Sequence, residues 1–94
     1  MPDSQTATAV TVHLIYLARL REAFGRAGEA LTLPGNEFTV TAILAALRAR
    51  GGAFASELAP GRAVRVAVNH ALVAPDEPVH DGDEVALLPP VTGG

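Results

Sequence analysis

The stretch Thr39–Leu47, TVTAILAAL, decides the fold. Thr39 is suited to cap a helix, and Val40, Ile43, Leu44 and Leu47 fall at the i, i+3, i+4, i+7 spacing of one buried stripe. Gly51-Gly52 is its expected stop. On either side of this helix the apolar period drops to two. Val10–Tyr16 alternates, with Val10, Val12, Leu14 and Tyr16 on one face and Thr11, His13 and Ile15 on the other, and Leu17 continues the second face. Ala30–Leu33 resumes the strand pattern with Leu31 and Leu33 inward, before Pro34-Gly35 stops it. Between these two strands, Ala18–Gly25 sets Leu20 and Phe24 four residues apart, as a short amphipathic helix closed by Gly25 would. Beyond the long helix, a weakly patterned stretch holds Phe54 and Leu58, and Pro60-Gly61 marks a turn. Arg65–Asn69 then alternates with Val66 and Val68 inward, Leu72-Val73 is a candidate short strand, and Asp81-Gly82 turns the chain into a last strand, Glu84–Leu88, with Val85 and Leu87 inward. The order strand, strand, helix, strand, short strand, strand predicts an α+β domain, a mixed sheet of about five strands grasping one main helix.

A chain of 94 residues supports one small domain. At this size only about 60 to 65% of the unfolded surface is buried, which leaves little volume for a deep pocket and directs attention to surfaces and ends. With 49% apolar and 18% charged residues and a net charge of -3, the composition is that of a folded domain and argues against a nucleic-acid partner. All seven basic residues are arginines, so no side-chain amine is present for isopeptide-linked chains. The lack of cysteine removes a disulfide scaffold, a thiolate nucleophile, a zinc knuckle and a thiolate-held iron–sulfur cluster. Residues 1–9, MPDSQTATA, have neither a basic start nor an apolar run. They read as a disordered polar leader of a cytoplasmic protein with no membrane anchor, ahead of a domain over 10–88 and a tail over 89–94. His13, His70 and His80 lack ligand spacing, so no metal site is expected, and no Ser-His-Asp arrangement has a supporting pocket. Asp76, Glu77, Asp81, Asp83 and Glu84 form an acidic region that reads as a solvated edge or as a steering patch for a basic partner.

The sequence after the last strand is Pro89-Pro90-Val91-Thr92-Gly93-Gly94. Two prolines cannot donate ladder hydrogen bonds, so they end the strand and keep the backbone extended as it leaves the sheet. Six residues at about 3.3 Å each reach roughly 20 Å, far enough to enter the active site of a docked partner. The terminal glycines have no Cβ, which lets them pass a narrow channel and leaves the Gly94 carboxylate open to attack. A carboxylate is a poor electrophile until it is activated, for instance as an acyl-adenylate. No phosphate-cradling glycine-rich loop is present, so ATP and the activating residues belong to another protein. The outer sheet face beside this exit is unexpectedly apolar, with Ile15, Leu17, Ala86 and Leu88, joined by Leu72, and reads as a partner site.

The run from Asp81 through Leu88 and PPVTGG resembles the end of the small subunits of molybdopterin synthase, ubiquitin-like β-grasp sulfur carriers. The resemblance extends to the first strand, to Leu20-Arg21-Glu22 with Gly25, to the Thr39-Val40 helix start and to Val68-Asn69, and so covers Val10–Gly94. It implies that an adenylyltransferase related to ubiquitin-activating enzymes uses ATP and magnesium to adenylate Gly94. A persulfide sulfur donor then converts the adenylate to a thiocarboxylate, whose sulfur goes to cyclic pyranopterin monophosphate in the large subunit's active site to build the molybdopterin dithiolene. It further implies a heterotetramer of two large and two small subunits, with the chain as a sulfur-donating co-substrate, the non-catalytic subunit of a sulfurtransferase that binds no cofactor itself. Positions matching Leu17, Leu72 and Leu88 pack against both partners in the resembling proteins, and Arg21 matches a position near that interface. A carrier for thiamine synthesis or transfer-RNA thiolation, or a ubiquitin-like modifier or interaction module, remains open on the sequence.

Overall fold

The computed structural model describes residues 9–35 and 38–89. Along the chain run β1 (Ala9–Tyr16), α1 (Ala18–Phe24), β2 (Gly28–Pro34), β3 (Phe38–Thr39), α2 (Val40–Arg48), α3 (Gly52–Glu57), β4 (Arg65–Val68), β5 (Ala71–Val73), β6 (Pro78–Val79) and β7 (Glu84–Leu88). The main sheet has the order β2-β1-β7-β4-β5. Its central pair, β1 and β7, is parallel, and the other pairings are antiparallel, so the sheet is mixed as expected.

Period-two alternation carries straight into burial. Val10, Val12, Leu14 and Tyr16 of β1, Val66 and Val68 of β4, and Val85 and Leu87 of β7 are buried on one face, where Val40, Ile43 and Leu47 of α2 meet them in one core. Thr39 caps α2, its hydroxyl accepting a hydrogen bond from the Ala42 amide at 3.3 Å. Gly25 ends α1 in the left-handed region (φ 73°), its amide donating to the Arg21 and Glu22 carbonyls.

Several elements differ from the sequence reading. α2 ends at Arg48, and Gly51 (φ 79°) and Gly52 (φ 57°) form the joint into α3 instead of a bare stop. The weakly patterned stretch is thus a helix, which sets Phe54 in a stack on Phe24 with ring centres 4.2 Å apart. A small second sheet, β3 with β6, closes the end of the core and buries Val79 completely. β2 is longer than Ala30–Leu33, and Leu31 and Leu33 are only half-buried because β2 is an edge strand. β1 starts at Ala9, the last residue of the expected leader, and the rest of that leader lies outside the described residues.

Tyr16 joins the sheet to the helices. Its ring meets Phe24 edge-on at 4.8 Å, and its hydroxyl donates to Glu29 at 2.5 Å. Arg50 also donates to Glu29 at 2.7 Å, as does Arg26 at 3.1 Å. Burial pulls the Glu29 pKa up, but the hydrogen bonds from Arg50 and Tyr16 and the two arginine charges outweigh it and hold the group below its ordinary value of 4.5. Burial, followed by the Glu29 hydrogen bond, pushes the Tyr16 phenol well above its ordinary range. Because the folded carboxylate binds its proton less readily than the unfolded one, Glu29 stabilises the fold above the ordinary carboxylate range. That contribution is lost as pH falls through the lower folded value. Glu29→Gln is expected to cost on the order of 1–2 kcal/mol near neutral pH and to flatten the acid limb of stability, measured by urea midpoints across pH.

Candidate functional site: the helix-free sheet face and the tail exit

Residues of alternate register on the five strands face away from the helices, and none of them is buried. One row across that face is apolar or small from edge to edge. Gly28 lies opposite Ile15, Ile15 beside Ala86, Ala86 opposite Ala67, and Ala67 opposite Leu72. Gly28 keeps the row low and is constrained from beneath, since a Cβ there would collide with the Leu14 carbonyl oxygen. One pleat further toward the exit, Leu88 sits opposite Arg65.

Of the proposed docking residues, Leu17, Leu72 and Leu88 lie on or beside this face. Leu17 is 38% exposed, its amide donating to the Leu87 carbonyl at 3.2 Å where β1 ends beside β7. Leu72 is 56% exposed on the edge strand β5, the most exposed large apolar side chain described. With β7 and β4 lying between them, β1 and β5 are roughly 14 Å apart. Leu88 is half-buried as the last residue of β7, followed by half-buried Pro89. Arg21 is exposed on α1. Pro90, Val91, Thr92, Gly93 and Gly94 lie outside the described residues. Sequence reasoning missed Ala67 and Gly28 in the row, because small residues carry little hydropathy contrast. The position of Ala67 between Val66 and Val68 was the available signal.

The acidic region proves partly structural. Asp81 accepts a hydrogen bond from the Thr11 amide at 2.8 Å. Asp83 accepts from the His80 amide at 2.8 Å and from the Asn69 side chain at 3.0 Å, and Asn69 in turn accepts from the Glu84 amide. The His80 amide bond, aided by Asn69, outweighs burial and keeps the Asp83 pKa below its ordinary value. These side chains build the turn into β7, at the end of the sheet opposite the tail exit. Among the described residues no group of three or more His, Asp or Glu is placed to hold a metal ion, and no helix is long and apolar enough to cross a membrane.

A mixed sheet wrapped over one principal helix, with an apolar row on its helix-free face running to the end of β7, defines a ubiquitin-like β-grasp protein. The ubiquitin of Caldiarchaeum subterraneum superimposes on it with a TM-score of 0.55 at 20% identity, covering 92% of this chain and 99% of that one. Residues 14–94 match the ThiS family, and the chain belongs to that family. It is 37% identical over 83 residues to the molybdopterin synthase sulfur carrier subunit of Escherichia coli K12, covering 88% of this chain and 99% of that protein. The solution structure of the HVO 2177 protein of Haloferax volcanii is similar at a TM-score of 0.80 and 25% identity, covering 99% of this chain and 94% of that one.

Proposed function

We propose that this chain is the sulfur carrier subunit of a molybdopterin synthase, acting in the cytoplasm. The observation that carries the reading is the apolar row across the helix-free face, which ends where β7 releases the chain at Leu88-Pro89. Such a face can seat a large subunit while the six residues from Pro89 to Gly94 extend, over roughly 20 Å, into that subunit's active site. The similarity to the Escherichia coli carrier subunit supports the same reading.

In this account Gly94 supplies the reacting atoms. Its carboxylate is adenylated by a ubiquitin-activating-like enzyme using ATP and magnesium, with release of pyrophosphate. A persulfide donor then displaces AMP to give an acyl disulfide, whose S–S bond a thiol of the partner proteins reduces to leave the thiocarboxylate. The thiocarboxylate then gives that sulfur to cyclic pyranopterin monophosphate within a heterotetramer of two large and two carrier subunits. This chain contributes a narrow, Cβ-free approach through Gly93-Gly94 and a docking surface through Leu17, Leu72 and Leu88, with Arg21 at its margin. Adenylating and transferring residues belong to the partners.

Titration of the purified large subunit against wild-type carrier and Leu88→Asp tests the docking. The substitution is expected to weaken binding by roughly 1.5 to 3 kcal/mol, since it exchanges an apolar side chain buried on docking for a carboxylate. That is about tenfold to a hundredfold in Kd. Unaltered affinity places the interface elsewhere, and absence of any binding by the wild type removes the assignment.

A further inference from the structure

Three arginines outside the apolar row gather around the tail exit. Arg19 grips Glu57 with a two-pronged contact, Nε to Oε1 and Nη2 to Oε2, each 3.1 Å, and Arg62 reaches the same Oε1 at 3.1 Å. Glu57 is 14% exposed, whereas the two arginines are 64% and 46% exposed, so one sunken carboxylate holds two guanidinium groups at the surface. They border a cleft of about 400 Å³ whose wall includes Leu20, Gly61, Val64 and Pro89, where the described chain ends. Arg65 stands opposite Leu88 on β4. Among the described residues this rim therefore sets three arginines, Arg19, Arg62 and Arg65, against the one carboxylate of Glu57, in a chain whose net charge is -3. The remaining carboxylates of the sequence outnumber the remaining arginines by nine to four.

We propose that this basic rim recognises an acidic lip on the protein that receives the tail. The inference rests on the docking reading above and adds the chemistry of the partner's surface. Three considerations select this occupant. The rim adjoins the apolar row at Leu88 and the exit at Pro89, so whatever covers the row meets the rim. The five residues after Pro89 can carry a nucleotide on Gly94 as far as roughly 17 Å away, so contact between the rim and a covering protein does not require the activated intermediate. A nucleic acid, which is a long polyanion, would bring its charge against the acidic remainder of the chain, whereas a compact acidic lip meets the rim alone. Glu57 sharpens the surface by fixing the guanidinium groups before contact, so less side-chain freedom is lost on binding. The segregated charge also orients an approaching carrier with its tail end forward.

The test measures association and dissociation rates of the carrier with the purified large subunit of the same organism's synthase, at low salt and at about 1 M NaCl, where charge effects beyond roughly 3 Å are screened. The variants are the double reversal Arg19→Glu with Arg62→Glu, the neutral pair Arg19→Gln with Arg62→Gln, and Leu88→Asp. The double reversal is expected to slow association roughly tenfold at low salt, the neutral pair to fall between it and wild type, and the differences to collapse at high salt. The neutral pair keeps the test valid should the reversed rim disturb α3. Arginine variants that associate like wild type at low salt, beside a Leu88→Asp variant that binds weakly, overturn the rim and leave the docking reading standing. Failure of all three to alter binding removes both. Tight, rim-dependent binding of transfer RNA by the free carrier, measured by fluorescence anisotropy, also overturns the acidic-lip assignment.

Discussion

Deletion of Gly94 is expected to abolish molybdopterin formation by a reconstituted synthase while leaving the unfolding midpoint of the carrier unchanged. The two outcomes separate because the described core draws on no residue after Leu87. Among the described residues every buried core side chain lies between Val10 and Leu87, and β7 ends at Leu88. Removing the last glycine leaves Gly93 one residue short, about 3.3 Å from where the acyl carbon must sit, and near-attack geometry tolerates far less than that. Retained synthase activity in the deletion would refute the role given to Gly94.

Leu87→Ala is expected to destabilise the fold by about 2 to 5 kcal/mol, read from urea or thermal unfolding. Leu87 is fully buried on the central strand, beside Tyr16 of β1 and opposite Val66 of β4. Its removal opens a cavity at the junction of three strands, directly beneath the residues that launch the tail. A domain of this size has a total stability of roughly 5 to 15 kcal/mol, so the loss is a large fraction of the whole. A cost under about 1 kcal/mol would mean that the site collapses around the smaller side chain and that the core is less tightly specified than its burial indicates. Leu88, one residue on, faces the other way, and Leu88→Asp is expected to affect docking far more than stability. The contrast between neighbours tests the assignment of faces along β7.

The alternation of β1, β4 and β7 was legible because a strand with one covered face imposes period two on its residues, and Thr39 with its apolar stripe was legible because a capped helix imposes another period. β3 and β6 were not, since two residues show no period, and Val79 stands alone among Pro78, His80 and Asp81. α3 escaped notice because Gly52, Ala53, Ala55 and Ser56 dilute its apolar pattern, leaving Phe54 as the one strong signal. The Tyr16, Phe24 and Phe54 cluster joins residues up to 38 positions apart, and no local period encodes a contact of that range. On the candidate site, Ile15, Leu17, Leu72, Ala86 and Leu88 could be read as misplaced apolar residues on a solvent face. Arg19 and Arg62 could not be read as a pair, because only the fold brings α1 and the loop after α3 to the same carboxylate.

The central claim, that Gly94 is the acyl end on which sulfur is carried, is tested most directly by intact-mass measurement of the carrier. The carrier is incubated with its activating enzyme, ATP, magnesium, a persulfide sulfur source and a thiol reductant. The expected result is a mass increase of one oxygen-to-sulfur replacement, located on the C-terminal peptide and absent when ATP is withheld. An unchanged mass under conditions that load an established carrier, or sulfur found anywhere but on Gly94, would contradict it.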